Sequence, residues 1–315
     1  MSKKIRVGVI GVGHMGKNHA RIFSELDRAE LVGVHDIDTR LGEKIASKYG
    51  TSFWPDLDKL AKEVEAFSIV TPTTFHYEIG ISLLNKGKHL LIEKPITTTT
   101  EQATELVELA NSNGLVLQVG HVERYNPVLD ALEERLAHPR FIEAHRLSSY
   151  PDRSTDIGVV MDLMIHDLEV ILHLVNSSVA SIDAVGIPVL SSSEDIANAR
   201  IKFENGCVAN ITTSRISPEK MRKIRIFQDD AYISLDYYAQ KGEIYRKSEN
   251  KILRDSIPIL KEEPLLRQLD DFLLCILAKG KPKVSGDHAT RALETAAKIC
   301  DQIWSNSCQV LESEL

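Results

Sequence analysis

The glycine spacing in Gly11-Val-Gly13-His14-Met15-Gly16 constrains this chain most, because an apolar run precedes it and a helical stretch follows it. Ile5 to Ile10 is rich in Val and Ile and bounded by glycine, which reads as a short buried strand. His14 to Leu26 has helical composition. A junction of this kind uses glycine three times. The first allows a tight turn, the second lets backbone approach a pyrophosphate, and the third lets helix and strand pack closely. The unpaired N–H groups at the helix start, together with the helix dipole, then favour an anion. Ala29 to Asp36 forms a second apolar run that ends in a carboxylate, about 20 residues on, where a ribose is held. Asp36 is expected to accept hydrogen bonds from both ribose hydroxyls and to repel a 2′-phosphate. Ile37, not an arginine, follows it, and Arg40 is placed to stack on adenine or cap a phosphate. NAD is therefore expected over NADP.

Strand and helix alternate through the first third. Thr39 to Tyr49 reads as helix, Ala66 to Thr71 as strand, Phe75 to Lys86 as helix and Lys88 to Glu93 as strand. Thr100 to Ser112 is an amphipathic helix ended at Gly114, and Leu115 to Gly120 is another strand. Strands separated by helices imply parallel pairing with right-handed crossovers, hence a doubly wound α/β sheet. Ligands of such sheets lie at the carboxyl ends of the strands. Thr71, Pro72 and His76, then Glu93-Lys94-Pro95, then Gly120-His121, all fall there.

The pattern changes beyond about residue 122. A helical stretch, Pro127 to Ala137, leads into strand-like runs joined by turn signals such as Glu204-Asn205-Gly206. Helices are expected over Val159 to Leu174, Pro264 to Ala278 and His288 to Trp304. The chain thus reads as two domains: residues 1–122, a dinucleotide-binding domain, and residues 123–315, an α+β domain with a mainly antiparallel sheet. At 315 residues it is long for one core.

Composition excludes several classes. A net charge of −7 argues against broad binding to a nucleic-acid backbone. No apolar run approaches the ~20 residues of a membrane span. Cys207, Cys275, Cys300 and Cys308 show no C-x-x-C spacing, so they read as reduced thiols and the expected location is the cytoplasm.

Two groups stand out for chemistry. Lys94 follows a strand at the ligand end of the sheet, with Pro95 restricting the backbone and Glu93 placed to orient the ammonium. Such a lysine is either a solvated surface charge or a donor to a substrate hydroxyl that stabilises the developing alkoxide. Asp162 and His166 are four apart in an otherwise apolar stretch, so on a helix they share a face. Burial without partners is costly, so the pair either satisfies itself in a core or serves a site. A metal is not expected, because the pattern is not H-E-x-x-H and no clear further ligand set accompanies it. Arg124, Tyr125 and Arg153 are loop residues suited to a charged group of a substrate.

Together these motifs resemble the glucose–fructose oxidoreductase, inositol dehydrogenase and rhizopine-catabolism (Gfo/Idh/MocA) family over nearly the whole chain. The resemblance rests on the glycine loop, Asp36, Thr71-Pro72 with His76, Glu93-Lys94-Pro95, Gly120-x-x-x-Arg124, Asp162-x-x-x-His166 and Ser285-Gly286-Asp287. It implies a Rossmann domain, a second domain with an open sheet whose exposed face forms dimers or tetramers, and a catalytic set of Lys94, Asp162 and His166 around the substrate. One departure is visible: Gly158-Val159-Val160 stands where many members carry a glycine run. The stretch from Gly158 to Asp167 looks most like the nucleotide-sugar members. The expected reaction is oxidation of a secondary hydroxyl of a sugar ring, C3 of a UDP-linked N-acetylhexosamine. Two alternatives are a free-polyol dehydrogenase of inositol type and a non-catalytic dinucleotide sensor; Lys94 with Asp162 and His166 argues against the sensor, which needs no proton acceptor.

Overall fold

The computed structural model describes residues 3–150, 157–249 and 251–313, with side chains described as far as Ser305. It divides into two compact units, Met1–Tyr125 with Glu263–Thr290, and Asn126–Glu262 with Arg291–Leu315.

The first unit alternates as its periodicity predicts. β1 (Ile5–Ile10), α1 (Gly16–Glu25), β2 (Ala29–His35) and α2 (Thr39–Lys48) lead it. β3 (Ser52–Phe53), α3 (Leu57–Glu63), β4 (Ala66–Ile69) and α4 (His76–Asn85) come next, then β5 (His89–Ile92), α5 (Thr100–Ser112) and β6 (Leu117–Val119). β1 buries every residue except Arg6, and β4 buries all of its residues, as strands covered on both faces must. The six strands run parallel in the order β3-β2-β1-β4-β5-β6. Register gathers their carboxyl ends. Ile10 pairs with His35 and Ile69, Ile69 with Ile92, and Ile92 with Val119, so all these strands end on one edge.

The second unit holds α6 (Pro127–Glu133), β7 (Phe141–Leu147), α7 (Ile165–Val175), β8 (Val179–Ile187), β9 (Ile196–Phe203) and β10 (Val208–Ser214). β11 (Met221–Phe227), β12 (Ala231–Asp236), β13 (Lys241–Ser248) and β14 (Lys251–Ile257) complete its sheet. The order is β14-β13-β12-β11-β7-β10-β9-β8, antiparallel except for the parallel pair β7 and β10. Burial alternates along β7, β9 and β10, so one face of the sheet is covered and the other is not. Gly206, at φ +85°, makes the turn from β9 to β10. The chain closes with α8 (Pro264–Ala278) and α9 (Gly286–Ser313).

Four features differ from the sequence expectations. β3 has only two residues, and β14 is exposed at every residue but Ile257, so neither carries an alternating pattern. α3 is also unexpected, although Asp56 caps it by accepting from Asp58 and Lys59 N–H at 3.0 and 3.2 Å. The stretch from Val159 is not one regular helix: Val160–Met164 forms a π turn before α7 begins. Finally, a single break at 122 misses the return of Glu263–Thr290 to the first unit. The physical reason is apolar. Leu265, Leu269, Phe272 and Leu273 of α8 are buried in the same core as Ile5, Val7, Ile22 and Phe23.

Burial also sets how the first unit meets acid. His121 is 1% exposed, and its imidazole is pushed down to about 3, first by burial and then by Lys94, Arg124 and His288. His76 and His89 are lowered too, chiefly by burial. The unfolded chain binds these protons first, near the ordinary value of 6.5, whereas folded His121 refuses one until about 3. Stability is therefore full above about pH 6.5 and falls below it, at about 1.4 kcal/mol per pH unit for His121 alone. A melting temperature followed from about pH 7.5 to pH 5 should drop steadily below pH 6.5. A flat profile would show that His121 takes up a proton in the folded state. The thiols of Cys207, Cys275 and Cys300 are free, and burial pushes them up to about 11, 12 and 12, so they stay protonated.

Candidate functional site

The end of β1 delivers a cradle built by glycine. Gly11 has φ +78°, and a Cβ there would lie 2.7 Å from the Val70 carbonyl oxygen. A Cβ on Gly16 would lie 1.8 Å from the Gly11 oxygen, so only glycine lets α1 start this close to β1. Above Gly13 there is open space, and Gly13, His14 and Met15 are exposed. Asp36 turns back on this loop: one carboxylate oxygen accepts from Val12 N–H at 2.7 Å, the other from Asp38 N–H at 2.9 Å. Each oxygen keeps a lone pair for a ribose hydroxyl. Gly11, Gly13, Asp36, Thr71, Pro72 and Phe75 are among the residues lining a cleft of about 420 Å³. The Thr71 hydroxyl there is buried and has no partner in the structure. Cradle, carboxylate and cleft together fit a dinucleotide. Arg40 is exposed in the first turn of α2, outside the cleft lining.

The ends of β4 and β5 are tied together by His76. It is 1% exposed, with Nδ1 2.9 Å from the Pro95 oxygen and Nε2 2.9 Å from the Thr71 oxygen. The nitrogen that carries the proton donates to one of these carbonyls and the ring packs against the other, so His76 sits between the loops that carry Thr71 and Lys94. Lys94 is half-buried, joined to Pro95 by a cis bond. Glu93 faces inward: its Oε1 lies 3.3 Å from His19 Nε2, and its Oε2 accepts from Lys94 N–H at 3.3 Å. His19 Nδ1 in turn meets Ser68 Oγ at 2.8 Å. A Cβ on Gly120 would lie 2.3 Å from the Glu93 carboxylate, so any other residue at the end of β6 would displace Glu93 from its present position.

Arg124 and Tyr125 lie on a 3-10 turn, Val122–Tyr125, and both are buried. The Tyr125 hydroxyl donates to Asp271 at 2.9 Å, while Arg267 donates to the Tyr125 carbonyl at 3.0 Å. Burial first, and Asp271 second, hold the Tyr125 phenol well above its ordinary range. The hydroxyl that the sequence offers to a substrate therefore tethers α8. Arg153 lies outside the described residues.

In the second unit Asp162 sits inside the π turn, and the Ile165 N–H reaches back to Val160 O. π turns recur at functional sites. Asp162 and His166 are both half-buried, whereas their neighbours Val160, Met164 and Ile165 are buried. Asp167, next to His166, is bound by Arg146 of β7 through Nε to Oδ2 at 2.7 Å and Nη2 to Oδ1 at 3.0 Å. Sequence reasoning misses this pair, and misses His19, Ser68, Glu194 and Arg215 with it. The signal available is a second carboxylate, Asp167, in an apolar stretch, which must find a cation when buried. Among the described residues no three His, Cys, Asp or Glu side chains gather as a metal site.

A parallel sheet, a glycine cradle at the end of its first strand and a carboxylate at the end of its second define a dinucleotide-binding fold. A family model described as "Oxidoreductase family, NAD-binding Rossmann fold" matches residues 5–121, and one described as "GFO/IDH/MocA C-terminal domain" matches residues 132–234. The chain belongs to the Gfo/Idh/MocA oxidoreductase family. It is 36% identical to UDP-N-acetylglucosamine 3-dehydrogenase of Acidithiobacillus ferrooxidans, covering 94% of this chain and 96% of that one. A solved structure of that enzyme superposes with a TM-score of 0.92 at 35% identity, covering 96% of this chain and 98% of its own. The scyllo-inositol 2-dehydrogenase (NAD(+)) of Bacillus subtilis is 26% identical over 69% of each chain.

Proposed function

We propose that this protein is an NAD-dependent dehydrogenase that oxidises the C3 hydroxyl of a UDP-linked N-acetylhexosamine. The observation that carries this reading is the likeness to the Acidithiobacillus enzyme over nearly the full length of both chains. The inositol-type relative matches a smaller share at lower identity, which favours the nucleotide sugar over a free polyol. Gly11, Gly13, His14, Met15 and Gly16 would cradle the pyrophosphate, and Asp36 would hold the ribose and disfavour a 2′-phosphate. Thr71, Pro72 and the Glu93-Lys94 corner would border the cofactor, with His76 fixing that border. A bound nicotinamide supplies the hydride acceptor.

The remaining chemistry falls to this chain's own side chains. His166 takes the proton of the reacting hydroxyl, as histidine does most often among general bases. Asp162 orients His166 and receives a neighbouring hydroxyl. Lys94 donates to the reacting oxygen as its charge develops. Arg153 is assigned to the diphosphate, since a guanidinium matches a phosphate oxygen pair, whereas Arg124, at 2% exposure, is left to hold its own turn. The setting we assign is the cytoplasm, as a homodimer or homotetramer. The aromatic row Phe141, Phe227, Tyr232 and Tyr245 across the sheet of the second unit supports self-association through that face. No described helix is long and apolar enough to cross a membrane.

The test mixes the protein with NAD and UDP-N-acetylglucosamine and follows the absorbance of the reduced cofactor. A rise with the nucleotide sugar, absent with free inositol or glucose and weaker with NADP, is the expected result. A rise with free polyols alone would move the activity to sugar catabolism.

A further inference from the structure

The turn that carries Asp162 is held from outside by residues that neither the family motifs nor the proposed chemistry uses. Glu194 and Asp195 directly precede β9, and Arg215 directly follows β10; all three are buried, at 2%, 0% and 1% exposure. Glu194 grips the start of the π turn twice: its carbonyl accepts from Val159 N–H at 3.0 Å, and its side-chain Oε1 accepts from Val160 N–H at 3.2 Å. Those N–H groups open a helical segment, where no intrahelical acceptor exists for them. Just ahead of that turn, Arg215 Nη1 donates to the Ile157 carbonyl at 2.6 Å. Arg215 is itself locked, by Nε on Asp195 Oδ1 at 2.8 Å and by its backbone N–H on the Asp195 carbonyl at 2.9 Å. Asp195 is fixed in turn by the N–H groups of Val189, Leu190 and Ser191 at 2.8, 2.5 and 3.0 Å.

Gly158 explains why this grip is so close. A Cβ there would fall 1.8 Å from Glu194 Oε1, so glycine at 158 is what lets the carboxylate reach the next turn. Val159 and Val160 stand where many family members carry a glycine run. Their stiff, fully buried side chains give the turn one conformation, while Glu194 supplies the acceptor that sets its start.

We propose that Glu194 and Arg215 are positioning residues for the turn that presents Asp162 and His166. The inference rests on the catalytic reading of that pair. It assigns the pair's placement to the ends of β9 and β10, and a displacement of about 1 Å at reacting groups lowers rates by about 10²-fold.

Three variants and two readouts test it. Glu194→Ala should lower kcat by about 10²-fold while leaving KM for NAD unchanged, because the dinucleotide cradle belongs to the first unit. Glu194→Gln keeps an oxygen acceptor for Val160 N–H and should restore most of kcat. Hydrogen exchange at the Val160 amide, measured on the full-length protein without substrate, should quicken in Glu194→Ala and stay slow in Glu194→Gln. Arg215→Lys, which retains charge but loses the planar fork, should fall between them in kcat. Val160 exchange unchanged in Glu194→Ala would overturn the inference, as would faster exchange with wild-type kcat. His166→Ala serves as the control: full turnover in that variant would overturn instead the catalytic reading beneath the inference.

Discussion

His166→Ala is expected to lower turnover by about 10²–10⁴-fold while NAD still binds, because it deletes the proposed proton acceptor. Lys94→Ala should act in the same direction by about 10²–10³-fold, the usual loss when one donor to a developing oxyanion is removed. The two side chains sit in separate compact units, each on its own support. Lys94 rides on the corner that His76 ties at 2.9 Å to Pro95 O, and His166 follows the π turn. Neither change alters the glycine cradle or Asp36, so cofactor titration by fluorescence should give wild-type affinity in His166→Ala and a loss much smaller than that in turnover in Lys94→Ala, whose side chain borders the cofactor. Asp162→Asn should retain more activity than His166→Ala, since Asn still orients a ring through a hydrogen bond but lacks the charge that stabilises an imidazolium. Wild-type rates in both His166→Ala and Lys94→Ala would remove the assignment.

The second large effect is on stability. Arg146→Ala should destabilise the second unit by about 3–5 kcal/mol, because it strands the Asp167 carboxylate in a buried site without its guanidinium. Arg146 and Asp167 are 3% and 2% exposed and joined by two parallel hydrogen bonds. Stranding one ion differs from removing both. The double variant Arg146→Met with Asp167→Leu should lose much less, since apolar groups of similar volume fill the same space. Urea unfolding followed by far-ultraviolet circular dichroism compares the three chains. If single and double variants lose equal stability, the pair's packing and not its charge holds α7 to β7.

Local chemistry explains what is legible in the sequence. Gly11, Gly13 and Gly16 stand where the backbone must turn tightly, lie open and pack closely, so their spacing alone announces the cradle. Asp36 and Lys94 are legible because the apolar runs before them end where strands end, and register brings those ends to one edge. Long-range pairing is not legible. His19 finds Ser68 across 49 residues, Arg146 finds Asp167 across 21, and Arg215 finds Asp195 across 20, with nothing local to link them. The π turn is hidden for a related reason. Its residues have ordinary helical composition, and its start is held by Glu194, a side chain 34 residues away. Tyr125 and His76 read as ligand groups in sequence, yet their polar atoms are committed to Asp271 and to backbone carbonyls.

The return of α8 to the first unit has a consequence for how the protein comes into being. On the ribosome, residues 1–125 emerge first with the glycine cradle complete in covalent terms. Leu265, Leu269, Phe272 and Leu273, which fill the core beneath α1, arrive only after the whole eight-stranded sheet has been made. The nascent dinucleotide unit must wait with an apolar face open, and a transcript cut short before residue 263 would leave it so for good. Closure of the first unit's core is thereby reserved for chains in which α8 has been made.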